Sequence, residues 1–376
     1  MNTACGRFLL SYLRLNQKLY ASVPGAGSRC FGGSPEQEKS RTIVLQEVAK
    51  NVKPFGKVVV DVPCDVEIRP TDFDRYPDMN ALLVRVFVDE EAAPTSAIGT
   101  SPVSLLSVEV NDRDVWEVKG EERIPANAKC LIESPVRYDV DVRAAGSNSV
   151  DVSGMVSDSI VVRTASGNIT GEKLQAGQMI LSSDEGGSVT LRRTLQGNIE
   201  INTVDRGTVR ADKFLGTDLK VSTENGDVDI GSSYCTKSHF TTENGNLTLN
   251  NLHMDSTVEI PGTGALNILC LDGSLDAKVN TGSSRIRVVR LSGNSRIVSS
   301  GDVDLVVPEQ NDIQLKLKGC RLDIDGSING MEEHTRSVQR FKTLSGETSL
   351  EVTTVKSVKV SKASWADTLN LGRFLR

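Results

Sequence analysis

The tetrapeptide Thr-Glu-Asn-Gly occurs twice, starting at Thr223 and at Thr242, so its copies stand 19 residues apart. An alternating aliphatic pair follows each copy, Val228/Ile230 after the first and Leu247/Leu249 after the second. Such pairs, apolar at i and i+2, continue on both sides: Val140/Val142, Val150/Val152, Ile160/Val162, Met179/Leu181, Val189/Leu191 and Ile199/Ile201 upstream, Val258/Ile260 and Leu266/Ile268 downstream. Weaker copies run on to Leu322/Ile324. The step is mostly 9–10 residues, and two steps span the 19–20 residues of the tetrapeptide repeat.

In an extended chain i and i+2 point to the same side, so each pair marks a short strand with one buried face. Gly and Asn between the pairs (SGN at 166–168, QGN at 196–198, ENG at 224–226 and 243–245) supply the conformations that turns need. One such strand cannot bury its face alone. Equivalent strands stacked about 4.8 Å apart form a continuous aliphatic ladder inside and a hydrogen-bonded ladder along the backbone. An antiparallel sandwich also places strands every 8–12 residues or so. It gives no reason for one turn sequence to return after two strands. The expected fold is therefore all-β: a single-chain, parallel β-helix-like solenoid with two short strands per turn of 19–20 residues.

Composition fits that plan. Aromatic residues make up only 4% of the 376 residues, and there are 32 glycines, which suits a narrow aliphatic core. The expected organisation is a transit peptide over 1–31, a linker or short helix over 32–54, β-rich N-terminal rungs or a cap over 55–134, solenoid repeats over 135–325, and C-terminal rungs and a cap over 326–376. Residues 90–102 read as a loop. Ser364, Trp365, Leu369 and Phe374 suggest a short helix covering the last rung.

Charge is unevenly placed. Residues 1–31 hold four of the 43 bases and none of the 49 acids, which leaves an acidic remainder. Such a body lacks the basic footprint that nucleic acid requires. Within the first 20 residues Phe8, Leu9, Tyr12, Leu13 and Leu19 fall at helical spacing among Arg7, Arg14 and Lys18. That is the pattern of a mitochondrial presequence, with cleavage near Phe31 and a matrix address. Arg14 interrupts the apolar run that a secretory signal would need. No stretch approaches the ~18 uninterrupted apolar residues of a membrane-spanning helix. Cys64, Cys130, Cys235, Cys270 and Cys320 are scattered and form no C-x-x-C, as expected of a reducing compartment.

Thr164-Ala-Ser-Gly-Asn-Ile169, with looser copies at 223–228 and 242–247, resembles the T-x-S-G-[DN]-[IV] repeat of an adhesin-like family of unknown function. That family is common in bacteria and has a mitochondrially addressed animal branch. Val58–Ile68 resembles its opening segment, with Cys64 and Asp65 where it often has a small residue or Gly. The resemblance extends over about residues 55–355. It implies a β-solenoid and no active site.

Two constellations are candidates for chemistry. Asp184, Glu185, Asp205, Glu224 and Glu243 precede the repeat glycines and would align at one corner, where paired carboxylates could act as acid and base or bind Ca²⁺. As solvated turn residues they would need no function. Cys235, His239 and His253 form the one Cys/His group, without the further ligands of a zinc site. Neither nucleotide-binding nor familiar hydrolase motifs occur, so no catalytic residue, metal or cofactor is assigned. The expectation is a non-catalytic binding or scaffold protein of mitochondria with a protein partner. The competing reading is a carbohydrate-active β-helix enzyme or lectin-like adhesin that uses the acidic corner. Partner identity and oligomeric state are not encoded in these patterns.

Overall fold

The computed structural model describes residues 42–89, 104–111, 113–125, 127–308, 312–335, 337–343 and 346–363. The presequence, the 90–102 loop and the 364–376 helix expected above lie outside them. The apolar pairs form strands, and the strands stack in parallel along two ladders. The first ladder runs through Arg137–Ala144, Val156–Thr164 and Gln175–Ser183 into the C-terminal halves of Val189–Thr203, Val209–Thr223, Val228–Thr242, Leu247–Ile260 and Leu266–Val279. The second ladder takes Val150–Ser153, Ile169–Glu172 and the N-terminal halves of the same long strands. The two short strands expected per turn are thus joined, in mid-solenoid, into one long strand that bends at register shifts.

Ile160, Met179, Ile199 and Leu219 fill the first ladder's inner column, and Ile169, Val189, Val209, Val228 and Leu247 fill the second's. A third inner column joins them at the bend, with Leu195, Phe214, Ser233, Leu252 and Leu271 in register. Each such apolar side chain removed from water contributes about 1.5–3 kcal/mol, which opposes the entropy of ordering the coil.

The Thr and the Gly of the repeat have separate duties at the corner between the ladders. Buried Thr223 Oγ1 donates to the Gly226 carbonyl at 2.9 Å, and Thr164 and Thr203 do the same for Gly167 and Gly207 at 2.7 Å. These bonds close the turn from inside the core, where an unpaired carbonyl would be costly. The glycine is required by the neighbouring coil: a Cβ on Gly226 would overlap the Gly207 carbonyl, and one on Gly245 the Gly226 carbonyl. Asn and Asp then tie turn to turn, Asn244 Nδ2 donating to Asn225 Oδ1 and the Asn246 amide N–H to Asp227 Oδ1, both at 2.8 Å.

Both ends are sealed out of sequence order. Phe55–Val62 lies between Arg137–Ala144 and Val115–Gly120, and Asp65–Pro70 between Val150–Ser153 and Lys129–Ser134. The C-terminal end mirrors this. Thr348–Thr354 lies between Ser295–Ser299 and Ile313–Gly319, and Ser357–Ala363 between Val303–Pro308 and Arg321–Ile324. At each end, therefore, the coil nearer the terminus is the penultimate rung. Antiparallel strands then close the stack, Leu106–Val110, Ala81–Asp89 and Thr42–Asn51 at one end and Gln339–Lys342 with Met331–His334 at the other. Closing strands of this kind end a ladder that would otherwise offer an open edge.

One expectation needs correction. The described part of the 32–54 linker or short helix is the strand Thr42–Asn51. A register shift between Val44 and Gln46 breaks its period-two pattern, which hides the strand from a search for alternation.

Candidate functional site

On the outer side of the first ladder a groove of about 660 Å³ runs across successive coils from Gln178 to Asn294. Its geometry follows from the fold. Inner positions of each strand hold the core, so alternate residues must face outward, and the parallel register aligns them into columns. One column carries Glu200, Lys220, His239 and Thr257 in direct register, with Asp276 beside Thr257. A neighbouring column carries Asp218, Lys237, Asp255 and Ser274. Beneath the groove, Ser238 takes an inner position between Leu219 and Ser256, and its Oγ lies 2.9 Å from Ser233 Oγ.

Most of its outward side chains are polar and partly paired with one another or with adjacent residues, while Ile180 and the backbone and stems of the strands give it much apolar surface. Lys220 Nζ donates to Glu200 Oε1 at 3.0 Å, Ser274 Oγ to Asp255 Oδ1 at 2.7 Å, and Thr217 Oγ1 to Asn198 Oδ1. The Lys220 and Asn202 hydrogen bonds hold the Glu200 carboxyl below the usual carboxylate range. Exposed pairs of this sort stabilise the fold by only ~0–1 kcal/mol, so a ligand can replace them at little cost. His239 Nε2 lies 3.0 Å from Thr241 Oγ1. Apart from His239 the groove is lined by no aromatic ring. Chemically it offers donors and acceptors of both signs at the coil spacing, along a line parallel to the solenoid axis.

The acidic corner is a separate place. Asp184, Glu185, Asp205, Glu224 and Glu243 are all exposed at the turns between the ladders, and none of them lines this groove. Glu224 Oε2 accepts the Asp205 backbone N–H at 2.9 Å, a contact that joins one coil to the next. Among the described residues no three His, Cys, Asp or Glu side chains converge closely enough to hold a metal ion.

The Cys/His group is divided by the fold. Cys235 is buried in the core, and burial raises its thiol pKa. His239 faces the groove. His253 lies at the bend, stacked on Tyr234 with ring centroids 4.3 Å apart, its Nδ1 3.3 Å from Asp272 Oδ2. Sequence reasoning singled out His239 but missed Glu200, Lys220, Asp218 and Lys237. A usable signal exists for Glu200 and Lys220, the outward residues between Ile199 and Ile201 and between Leu219 and Val221; Asp218 and Lys237 stand two residues before Lys220 and His239, outside any aliphatic pair.

Within the described residues no helix is long and apolar enough to cross a membrane. A model of the family described as Toastrack DUF4097 matches residues 64–359. Among solved structures, the chain is similar to a "putative adhesin" from Parabacteroides merdae at 11% identity and a TM-score of 0.37, over 86% of this chain and 97% of that one. It is also similar to a "putative lipid binding protein" from Parabacteroides distasonis at 12% identity and a TM-score of 0.36, over 86% of this chain and 98% of that one. A second Parabacteroides distasonis protein, a "putative adhesin", matches at 12% identity and a TM-score of 0.31, with the same coverage.

Proposed function

The chain belongs to the Toastrack family, and on that premise we propose that it is a non-catalytic binding or scaffold protein of mitochondria whose recognition surface is the groove of the first ladder. The observation that carries the proposal is the groove itself, which lays charged and polar columns across consecutive coils on a wall of parallel, in-register strands. An extended segment of a partner protein, lying along the solenoid axis, meets a new donor or acceptor every ~4.8 Å. Glu200, held ionised by Lys220 and Asn202, is fit to accept from a partner's donors. The mitochondrial address rests on the basic, acid-free residues 1–31.

Proximity labelling in cells, with the full chain beside a version lacking residues 1–31, tests both halves of this reading. Labelling of matrix proteins by the full chain alone, with the same one or two partners recovered in stoichiometric amount, is the expected result. Labelling of secretory-pathway proteins, with sugar on Asn168 or Asn246, which stand in the acceptor sequences Asn-Ile-Thr and Asn-Leu-Thr, would overturn the address.

A further inference from the structure

The C-terminal closing strands carry a charge arrangement that the fold does not require. Ile313–Gly319 is flanked by Thr348–Thr354 on one side and by the antiparallel Gln339–Lys342 on the other, and Met331–His334 follows outermost. Their outward residues form a grid of two rows. One row reads Glu351, Lys316, Lys342, Met331, and the other Thr353, Lys318, Arg340, Glu333. The centre is thus four cations, with Lys316 directly opposite Lys342 and Lys318 directly opposite Arg340. Like charges in directly opposed positions destabilise a strand pair. Relief is slight. Glu333 reaches Arg340 only at 3.9 Å, and no carboxylate among the described residues lies within ion-pair distance of Lys316, Lys318 or Lys342.

A groove of about 290 Å³ opens over this grid; Met331, 60% exposed, is its outward apolar side chain, while Leu317, Phe341 and Val352 border it with their side chains turned into the core. We propose that it is a binding site for a phosphate monoester carried on an apolar chain or ring. Four cations against the two glutamates leave a surplus of two positive charges, which matches the charge of about −1.5 to −2 on such a phosphate at neutral pH. Arg340 supplies a planar fork for two phosphate oxygens, and the lysines supply point charges around it. Met331, with the aliphatic stems of the lysines beside it, receives the ester's carbon body. The site lies at the C-terminal end of the first ladder, on coils that the mid-solenoid groove does not reach, and it stands independently of the partner-binding reading.

Isothermal titration of the full chain tests the proposal with three probes: inorganic phosphate, decyl phosphate below its micellar concentration, and vesicles of phosphatidylcholine with or without phosphatidic acid. Decyl phosphate is expected to bind, more weakly as salt rises. Lys342→Glu should lower the affinity about tenfold or more. Because it relieves the Lys316 repulsion, the same variant should melt no lower than the parent, whereas a merely structural lysine would lower the midpoint when reversed. Arg210→Glu, on the exposed side of the second ladder, should leave binding unchanged. Binding of both soluble probes assigns the site to a free phosphate ester, and binding of phosphatidic acid vesicles alone assigns it to a lipid headgroup. Failure of all three probes, or equal losses from Lys342→Glu and Arg210→Glu, would overturn the proposal.

Discussion

The carbonyl oxygen of Gly207 occupies the space in which a side chain on Gly226 would begin. The same relation links Gly245 to Gly226 one coil later, so the repeat's glycine is fixed by the coil beneath it. Gly226→Ala should therefore destabilise the protein by about 2–4 kcal/mol, since backbone cannot yield as a flexible side chain can. Gly326 has no heavy atom within 4 Å of a would-be Cβ, and Gly326→Ala should shift stability by no more than about 0.5 kcal/mol. Chemical denaturation of the two variants side by side checks the difference.

Glu133, only 8% exposed, joins three strands at the N-terminal end. Its Oε1 accepts from Arg69 Nη2 at 2.9 Å and its Oε2 lies 3.1 Å from Arg85 Nη1. Glu133→Gln leaves two guanidinium groups facing a neutral amide and should cost about 2 kcal/mol, less than a fully buried pair because both arginines are partly solvated. Hydrogen exchange should quicken first in Ala81–Asp89, which pairs with the strand of Glu133.

Asp151 stands directly opposite Glu67 on the second ladder, and burial, then the Glu67 charge, raises its pKa. The folded chain holds this proton more tightly than the unfolded chain does. Its contribution to stability is therefore lost as pH rises through the carboxylate range. Asp151→Asn should raise the melting temperature at pH 7, and the gain should shrink towards zero as the pH falls below that range. A pH series of melting curves checks the sign.

The thiols report on the core. Burial, with the Asp65 charge adding, pushes Cys64 up to about 12, and burial raises Cys130 as well. Cys320 is exposed. Mass spectrometry after brief treatment with a maleimide should find Cys320 modified in the native protein, and Cys64, Cys130 and Cys235 modified only after unfolding.

The solenoid was legible because coil length hardly changes between Val150 and Val303, so aliphatic pairs and turn glycines keep one period. Stacking of like on like writes itself into the sequence as repetition. The ends were not legible. Val58 and Val60 sit beside Val140 and Val142, and Val358 beside Val303, across long separations in the chain that no local period records. The bend was hidden too, because its inner column takes one residue per coil, such as Leu195 or Phe214, and a single apolar residue makes no pattern. The groove escaped notice for a different reason. Its residues are the outward members of ordinary strands, and Glu200 or Lys237 looks in sequence like any solvated position. His239 stands out in the sequence only as a member of the Cys235/His239/His253 group, which the fold divides.

Site-specific photo-crosslinking tests the central claim, that partners are held in the first-ladder groove, most directly. A photoreactive amino acid is placed in the full chain at Lys237, within the groove, or at Arg210, on the outer side of the second ladder. The account predicts a discrete crosslinked partner from position 237 and none from position 210. Equal crosslinking from both positions, or crosslinking from position 210 alone, would contradict it.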